Sequence, residues 1–150
     1  MSQSLSKVYL HIAFSTKYRQ PFIDGAVKER LWSYMGGICR KMDCDPIQVG
    51  GYTDHVHILC QLSKNVSQAD LLEEVKKRSS KWIKTVGEAY ADFYWQKGYA
   101  AFSVAPLSIS RVVQYIKTQE ERHSRQTFQD EMRGFFKKYE VEYDERYVWD

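Results

Sequence analysis

The chain has 150 residues, with 22 lysines and arginines against 19 aspartates and glutamates, for a net charge of +3. This length supports one core, so we take residues 1–150 as a single domain. Cys39, Cys44 and Cys60 are odd in number and lack a metal or redox spacing, which argues against a disulfide framework. No apolar run approaches the ~20 residues of a membrane span, and the N-terminus does not resemble a signal peptide. We therefore expect a soluble, cytoplasmic protein without a membrane partner.

Apolar spacing predicts the elements of the first half of the chain. Alternation over residues 7–16 indicates a first strand, and helical spacing indicates a helix over 26–44. Two short strands are predicted at 47–52 and 55–62. The dipeptide Thr53–Asp54 between them is short enough to join the two as a hairpin.

A capping-box variant, Ser67 with Asp70, opens the second predicted helix. Its predicted buried stripe is Leu72, Val75, Ser79, Trp82 and Val86. The aromatic segment 93–104 predicts a fourth strand, followed by a helix over 108–125 and another that begins near Thr127. The order β-α-β-β-α-β followed by helices predicts an α+β, ferredoxin-like split βαβ fold with an antiparallel sheet.

Two histidines stand at alternate positions of the third predicted strand. His55 and His57 therefore share one face, while Val56, Ile58 and Cys60 share the face that packs under the helices. Two imidazoles ~7 Å apart along a strand can converge on one cation. The alternative is a pair of partly buried histidines hydrogen-bonded to their neighbours.

A tyrosine and a glutamine share one face of the late predicted helix. Tyr115 and Gln119 are four residues apart, and Tyr115 borders the apolar stripe of Val112 and Ile116. A phenol and an amide can therefore lie above the histidine face of the sheet. The alternative is that Tyr115 is one more core residue among 11 tyrosines.

The segment KKRSSKWIK carries five cations and no acid, whereas the residues after Glu140 are mostly acidic. The five cations are Lys76, Lys77, Arg78, Lys81 and Lys84. Such a cluster neutralises phosphates, so we predict that it binds nucleic acid, with exposed aromatics such as Trp95 or Tyr99 stacking on unpaired bases. A solvated helix face with buried aromatics is the alternative.

Several blocks carry a family resemblance. DHVHIL resembles the histidine-hydrophobe-histidine block of the HUH nucleases, and YIKTQ resembles the Tyr-x-x-x-Gln motif of their single-tyrosine transposases. FSTKYRQP, RSSKWI, WQKGYAAFSV and EYDERYVWD are further blocks of this kind. Over nearly its full length the chain is similar to the single-tyrosine HUH transposases of the smallest bacterial insertion sequences.

The resemblance implies roles for particular residues. His55, His57 and Gln119 would bind a divalent cation, Mg²⁺ or Mn²⁺, although imidazole chemistry alone favours zinc or manganese. Tyr115 would be the nucleophile, and Asp54 matches the family pattern without an assigned role. The implied reaction cleaves and rejoins single-stranded DNA at hairpin-bearing element ends through a 5′-phosphotyrosine, and the implied fold has the histidine site on the sheet face away from the helices.

The resemblance also implies a homodimer. We expect Tyr115 and Gln119 of one subunit to complete the histidine pair of the other, with docking in cis as the alternative. Other functions stay open: a protein that binds single-stranded or hairpin DNA without cutting it, a relative that processes dispersed chromosomal repeats, or a metal-dependent hydrolase that uses only the histidine pair.

Overall fold

The computed structural model describes residues 2–150. Its regular elements, in chain order, are β1 (Val8–Ser15), α1 (Lys28–Lys41), β2 (Pro46–Tyr52), β3 (His55–Leu62), α2 (Gln68–Val86), β4 (Ala100–Val104), α3 (Ile109–Lys117), α4 (Gln119–His123) and α5 (Phe128–Lys138). No helix within residues 2–150 combines the length and the apolar character that crossing a bilayer requires.

The four strands form one antiparallel sheet in the order β2-β3-β1-β4. Strand β3 lies between β2 and β1, and β1 lies between β3 and β4, so each β-α-β unit is split by a strand from elsewhere in the chain. This is the predicted ferredoxin-like, α+β fold. The hairpin between β2 and β3 turns at Thr53 and Asp54, also as predicted.

The two faces of the sheet carry different residues. Val56, Ile58 and Cys60 face the main core, which packs under α1 and α2. His55 and His57 lie on the opposite face, as the alternation predicts. Helices α3, α4 and α5 pack over this second face, so the histidines lie beneath a helical layer rather than on an open surface.

The buried stripe of α2 differs from the prediction. Leu72, Val75 and Ser79 are buried, but Ile83 occupies the place predicted for Trp82, which is half-buried. Leu71 is buried as well. The contact between Ser79 and Trp95 explains part of this packing, because the hydroxyl of Ser79 accepts a hydrogen bond from Trp95 Nε1 at 2.9 Å.

The predicted fourth strand is shorter than expected, because β4 contains only Ala100–Val104. Trp95 forms an isolated bridge with Thr16 and packs its ring against Phe14, with ring centroids 4.8 Å apart. The expectation that Trp95 is exposed for base stacking is therefore wrong, since only 8% of it is exposed. Tyr99 is 39% exposed.

The predicted helix over 108–125 is interrupted at Thr118, where α3 ends and α4 begins. Thr118 Oγ1 donates to the carbonyl of Gln114 at 3.0 Å, and this back-bonding of a threonine to its own helix favours a bend. The beginning of α5 is as predicted, because Thr127 caps it by accepting from the backbone N–H of Asp130.

Candidate active site

All four histidines of the chain meet on the face of the sheet that α3, α4 and α5 cover. His11 on β1 and His57 on β3 have ring centroids 5.0 Å apart, and those of His55 and His57 are 5.2 Å apart. His123, at the end of α4, lies 4.3 Å from His55 by the same measure. The sequence analysis identified the β3 pair but not His11 or His123 as its neighbours.

His55 is held from both sides of its ring. Its Nδ1 lies 2.7 Å from Asp54 Oδ1, and its Nε2 lies 2.8 Å from Gln119 Oε1. The amide of Gln119 is oriented by its own N–H, which donates to Glu131 Oε2 at 2.9 Å. The carboxylate of Asp54 thus fixes the ring so that Nε2 points at the centre of the site, as outer carboxylates do for ligating histidines.

His57 contacts a second histidine and a carboxylate. Its Nδ1 lies 2.8 Å from His11 Nε2, and its Nε2 lies 3.1 Å from Glu131 Oε1. Burial lowers the pKa of His57, although Glu131 opposes that shift. Burial, with the neighbouring His57, lowers the pKa of His11 to about 3. Both rings are therefore neutral at pH 7, which is the form of imidazole that ligates metals.

Glu131 is the centre of the cluster, and the sequence analysis missed it. Its carboxylate accepts hydrogen bonds from Tyr115 Oη and Gln119 Nε2. Burial raises the pKa of Glu131, but His57, His123 and His55 together outweigh burial, so its pKa lies far below the ordinary value. The site therefore holds an ionised carboxylate.

The side chains present fit a cation. One ligand atom each from His55, His57 and Glu131 lie within 4.8 Å of one another. In addition, His123 Nε2 is buried 3.1 Å from Glu131 Oε1 and has no hydrogen-bond partner within residues 2–150. Two imidazoles with a carboxylate form a donor set typical of divalent transition metals, and the amide oxygen of Gln119 adds a hard ligand.

Tyr115 reaches the same cluster from α3. Its Oη donates to Glu131, and its ring centroid lies 5.6 Å from that of His57. The guanidinium of Arg122 lies 4.3 Å above the ring. Burial and then Glu131 raise the pKa of Tyr115, with Arg122 opposing them, so the phenol is protonated in this arrangement. Within one chain, Tyr115 and Gln119 lie beside that chain's own histidine pair, which is the cis arrangement.

A close approach of α3 to β2 places Tyr115. A Cβ built on Gly50 would lie 2.9 Å from Ile116 Cγ2 and 3.2 Å from the carbonyl oxygen of Ile116. Ile116 is buried with Leu59 and Val104. Only a glycine on β2 leaves room for the helix at this distance, so Gly50 sets the height of Tyr115 above the sheet.

The predicted basic cluster lies on α2, the helix that packs on the other face of the sheet. Lys76 Nζ donates to the backbone carbonyls of Gln96, Lys97 and Gly98, and burial lowers its pKa to about 8. It is therefore engaged within the fold rather than free for phosphate.

The other four cations of the cluster differ in their exposure. Lys77 and Arg78 are exposed and pair with Glu74. Lys84 lies 4.1 Å from the centroid of the Tyr94 ring, and Lys81 is exposed. DNA binding by the cluster stays a prediction, and its exposed members are those that can reach a ligand.

Comparison with known proteins identifies what the chain is similar to. A family model described as "Transposase IS200 like" matches residues 4–119, which include the histidine pair, Tyr115 and Gln119 but not Glu131. A candidate transposase from Deinococcus radiodurans has a TM-score of 0.62 at 19% identity, over 79% of this chain and 98% of that one. A REP-associated tyrosine transposase bound to a REP hairpin has a TM-score of 0.59 at 13% identity, over 82% of this chain and 74% of that one. No curated protein matches.

Proposed function

The chain belongs to the IS200-like transposase family, and from that premise we propose that it cleaves and rejoins single-stranded DNA at the hairpin-bearing ends of a mobile element. Tyr115 would be the nucleophile, and the intermediate would be a 5′-phosphotyrosine. One observation carries the proposal: Tyr115 and Gln119 converge with His55 and His57 on a single buried carboxylate, Glu131.

We propose that His55, His57 and Gln119 hold a divalent cation, Mg²⁺ or Mn²⁺, and that Glu131 is a further ligand. The buried Nε2 of His123 lies 3.1 Å from Glu131 Oε1 without an aligned hydrogen bond, so it is a further ring nitrogen that a cation at this site could use. When bound, the cation would polarise the scissile phosphate and offset its negative charge.

Tyr115 and Glu131 have different roles in the proposed reaction. Tyr115 Oη attacks the phosphorus, a bond forms between that oxygen and the phosphorus, and the bond to the 3′ oxygen breaks. The departing 3′ oxygen takes up a proton, which balances the one that the phenol loses, and becomes a free 3′-OH. Glu131 accepts the hydrogen bond of the phenol and so orients its oxygen, whereas its strongly lowered pKa makes it a weak acceptor for the proton itself. Attack by a 3′-OH on the phosphotyrosine reverses these steps. One phosphate ester replaces another, so rejoining needs no nucleotide cofactor.

The location of Tyr115 supports a single-stranded substrate. Its ring is half-buried in the wall of a cleft of about 300 Å³ between α3 and α5. A backbone phosphate can reach Oη only if its strand enters this cleft, which an unpaired strand does more readily than a stiff duplex. We further propose that the exposed members of the α2 cluster, Lys77, Arg78 and Lys81, contact the paired stem of the hairpin.

Replacing the nucleophile tests the proposal. Tyr115→Phe removes one oxygen and preserves the ring, so DNA binding should survive while cleavage and the covalent adduct disappear. End-labelled hairpin DNA on a denaturing gel measures both products. Adduct formation by Tyr115→Phe at the native rate would assign the nucleophile to another residue and end the proposal. Tyr143→Phe, which also removes one phenolic oxygen but lies outside the site, is the matched control.

We also propose that the chain acts as a homodimer, as the family resemblance implies. Strand β4 is at the edge of the sheet, and Leu107, just after it, is 98% exposed. An unpaired sheet edge is a feature that a second copy would cover. Because Tyr115 and Gln119 lie beside the histidine pair of their own chain, we propose docking in cis rather than an exchange of α3 between the two copies.

A second candidate is the processing of dispersed chromosomal repeats with the same chemistry. It is favoured by the structural likeness to a REP-associated tyrosine transposase that was solved with a REP hairpin. The DNA that flanks the gene separates the two candidates. Imperfect hairpins at both ends indicate a mobile element, whereas single hairpins dispersed elsewhere in the chromosome indicate repeat processing.

A further inference from the structure

A cleft between α3 and α5 opens directly onto the reactive phenol. Tyr115 and Glu131 lie at its base, and Arg111, Arg122, Lys138 and Tyr139 lie around its rim. Its volume of about 300 Å³ is at the lower end of the range found for small-ligand pockets, ~300–1,000 Å³. The cleft can therefore hold a small part of a polymer rather than a whole folded partner.

Three cations from three different helices face this cleft. Arg111 on α3, Arg122 on α4 and Lys138 on α5 are all exposed, and within residues 2–150 none of them forms a salt bridge. Arg133, on the same helix as Lys138, instead pairs with Glu145 and Asp130. Arg122 lies 4.3 Å from the ring centroid of Tyr115, and Lys138 Nζ lies 5.7 Å from that of Tyr139. Because these contacts do not neutralise either charge, the rim of the cleft stays positive.

An aromatic stack forms one wall beside these cations. The rings of Phe102 and Phe135 lie 5.1 Å apart at an angle of 18°, and those of Phe102 and Tyr139 lie 4.7 Å apart at 25°. Tyr139 is the exposed end of the stack, and its Oη donates to the carbonyl of Ser103 at 3.1 Å. Because this hydrogen bond fixes the ring, Tyr139 is a rigid platform for another planar group.

We propose that this cleft binds the single-stranded DNA next to the cleavage site. Arg111, Arg122 and Lys138 contact the backbone phosphates, and Tyr139 stacks with one unpaired base. The combination of separated cations and an exposed ring matches the recognition of single-stranded nucleic acid, in which phosphates and base faces are bound together. An acidic peptide would use the cations but not the ring. The inference rests on the proposed function, since it assigns the path by which the strand reaches Tyr115.

The charge part is tested with a fluorescein-labelled oligothymidine of about 15 nucleotides, close to the upper site size of single-strand binders. Fluorescence anisotropy gives its affinity over a range of salt concentrations. Each phosphate contact contributes ~0.7 to the slope of log affinity against log salt for single strands. The variant Arg111→Gln/Lys138→Gln should therefore lower that slope by ~1.4. Arg122→Gln should lower it by ~0.7 and Arg122→Lys should restore it.

Matched control variants remove cations that do not line the cleft. Lys117→Gln on α3 and Lys137→Gln on α5 are exposed neighbours on the same two helices, and both should keep the native slope. Equal losses in the controls and in the cleft variants would mean that general surface charge, rather than the cleft, holds the strand. An unchanged slope in the cleft variants would overturn the inference directly.

The stacking part is tested at Tyr139. Tyr139→Leu should weaken oligothymidine binding about 5- to 150-fold, the range for loss of one stacked base. Tyr139→Phe keeps the ring and loses only the hydrogen bond to the carbonyl of Ser103, so it should bind oligothymidine more tightly than Tyr139→Leu, which separates stacking from that hydrogen bond. Thermal unfolding of each variant shows whether the fold is intact. If Tyr139→Phe and Tyr139→Leu bind oligothymidine with equal affinity, the proposal that Tyr139 stacks with a base is wrong.

The same reagents separate this inference from the proposed function. If the native chain forms the tyrosine adduct while the cleft variants bind and cut as it does, the cleft assignment fails and the proposed function stands. If the native chain binds oligothymidine through the cleft but never forms an adduct, the proposed cleavage reaction is wrong and the proposed binding site is supported. If the native chain does not bind oligothymidine, the cleft is not a binding site for single-stranded DNA, whether or not the chain cleaves hairpin DNA.

Discussion

Replacing Gly50 by alanine tests whether the docking of α3 on β2 positions Tyr115. The new Cβ would lie 2.9 Å from Ile116 Cγ2, whereas carbon atoms in ordinary contact are ~3.5–4.0 Å apart. Rotation of the Ile116 side chain removes that contact but not the one at 3.2 Å with the backbone oxygen of Ile116. The helix backbone itself must therefore move by about 0.3 Å or more, so that the contact at 3.2 Å reaches the ~3.5 Å of ordinary packing.

This displacement has a cost in stability and in rate. Overpacking of this kind destabilises a core by ~1–3 kcal/mol. Because Ile116 is the neighbour of Tyr115, the same shift moves the phenol relative to the histidine pair, and a misplacement of ~1 Å can slow a reaction ~10²-fold. Because the required shift is about a third of that size, we expect Gly50→Ala to cut DNA about 3- to 10-fold more slowly while its affinity for oligothymidine stays within a few-fold of native.

Single-turnover cleavage of end-labelled hairpin DNA measures the rate, and urea unfolding measures the stability. Gly37→Ala is the matched control, since a Cβ there meets no heavy atom within 4 Å, and alanine in a helix interior is ~0.5–1 kcal/mol better than glycine. Native rate and native stability in Gly50→Ala would refute the docking that we describe. Loss of stability with an unchanged rate would show that cleavage does not depend on how α3 positions Tyr115.

Three further predictions follow from the histidine cluster. Glu131→Gln should weaken Mn²⁺ binding, measured by calorimetry, by at least ~10–100-fold, as loss of residues around a metal site does. The control Glu121→Gln should keep the native affinity. If the two variants bind Mn²⁺ equally well, Glu131 is not part of the cation site. The pKa of His11 is lowered from 6.5 to about 3, so below pH 6.5 this histidine is protonated in the unfolded chain before it is protonated in the folded one. The contribution of His11 to the free energy of unfolding should therefore be fully present above pH 6.5 and fall towards pH 3 by up to ~1.4 kcal/mol per pH unit. An equally steep fall in His11→Gln would contradict this. A mixture of His57→Ala and Tyr115→Phe subunits should stay inactive if each site is built within one chain, whereas recovered cleavage would show that subunits exchange α3.

The elements of the sheet could be predicted because their residues follow simple alternation. Val56, Ile58 and Cys60 are apolar and pack under α1 and α2, which leaves His55 and His57 on the other face. The order of the elements then gave the split βαβ fold. Trp95 was misjudged because burial of an aromatic ring depends on partners that are distant in sequence, here Phe14 and Ser79.

The rest of the site depends on contacts that no local pattern shows. His11 reaches His57 only because β1 pairs with β3 in the register that sets Ala13 opposite His57. Glu131 had a recognisable pattern, since it is an acid between Phe128 and Met132 on the apolar face of α5. A carboxylate on a buried helix face needs a partner, and that alone should have marked it for attention.

The C-terminal residues explain how Glu131 is held in place, although the family match ends at residue 119. Arg133 on α5 pairs with Glu145, and the backbone oxygen of Trp149 accepts from Arg19, beyond the end of β1. The N–H of Gly98 donates to the backbone oxygen of Asp150 at 3.0 Å. The block EYDERYVWD thus ties α5 to the segment after β1 and to the segment before β4. Because α5 carries the carboxylate that contacts both histidines and the phenol of Tyr115, these contacts of the C-terminal block help to hold the geometry of the candidate site.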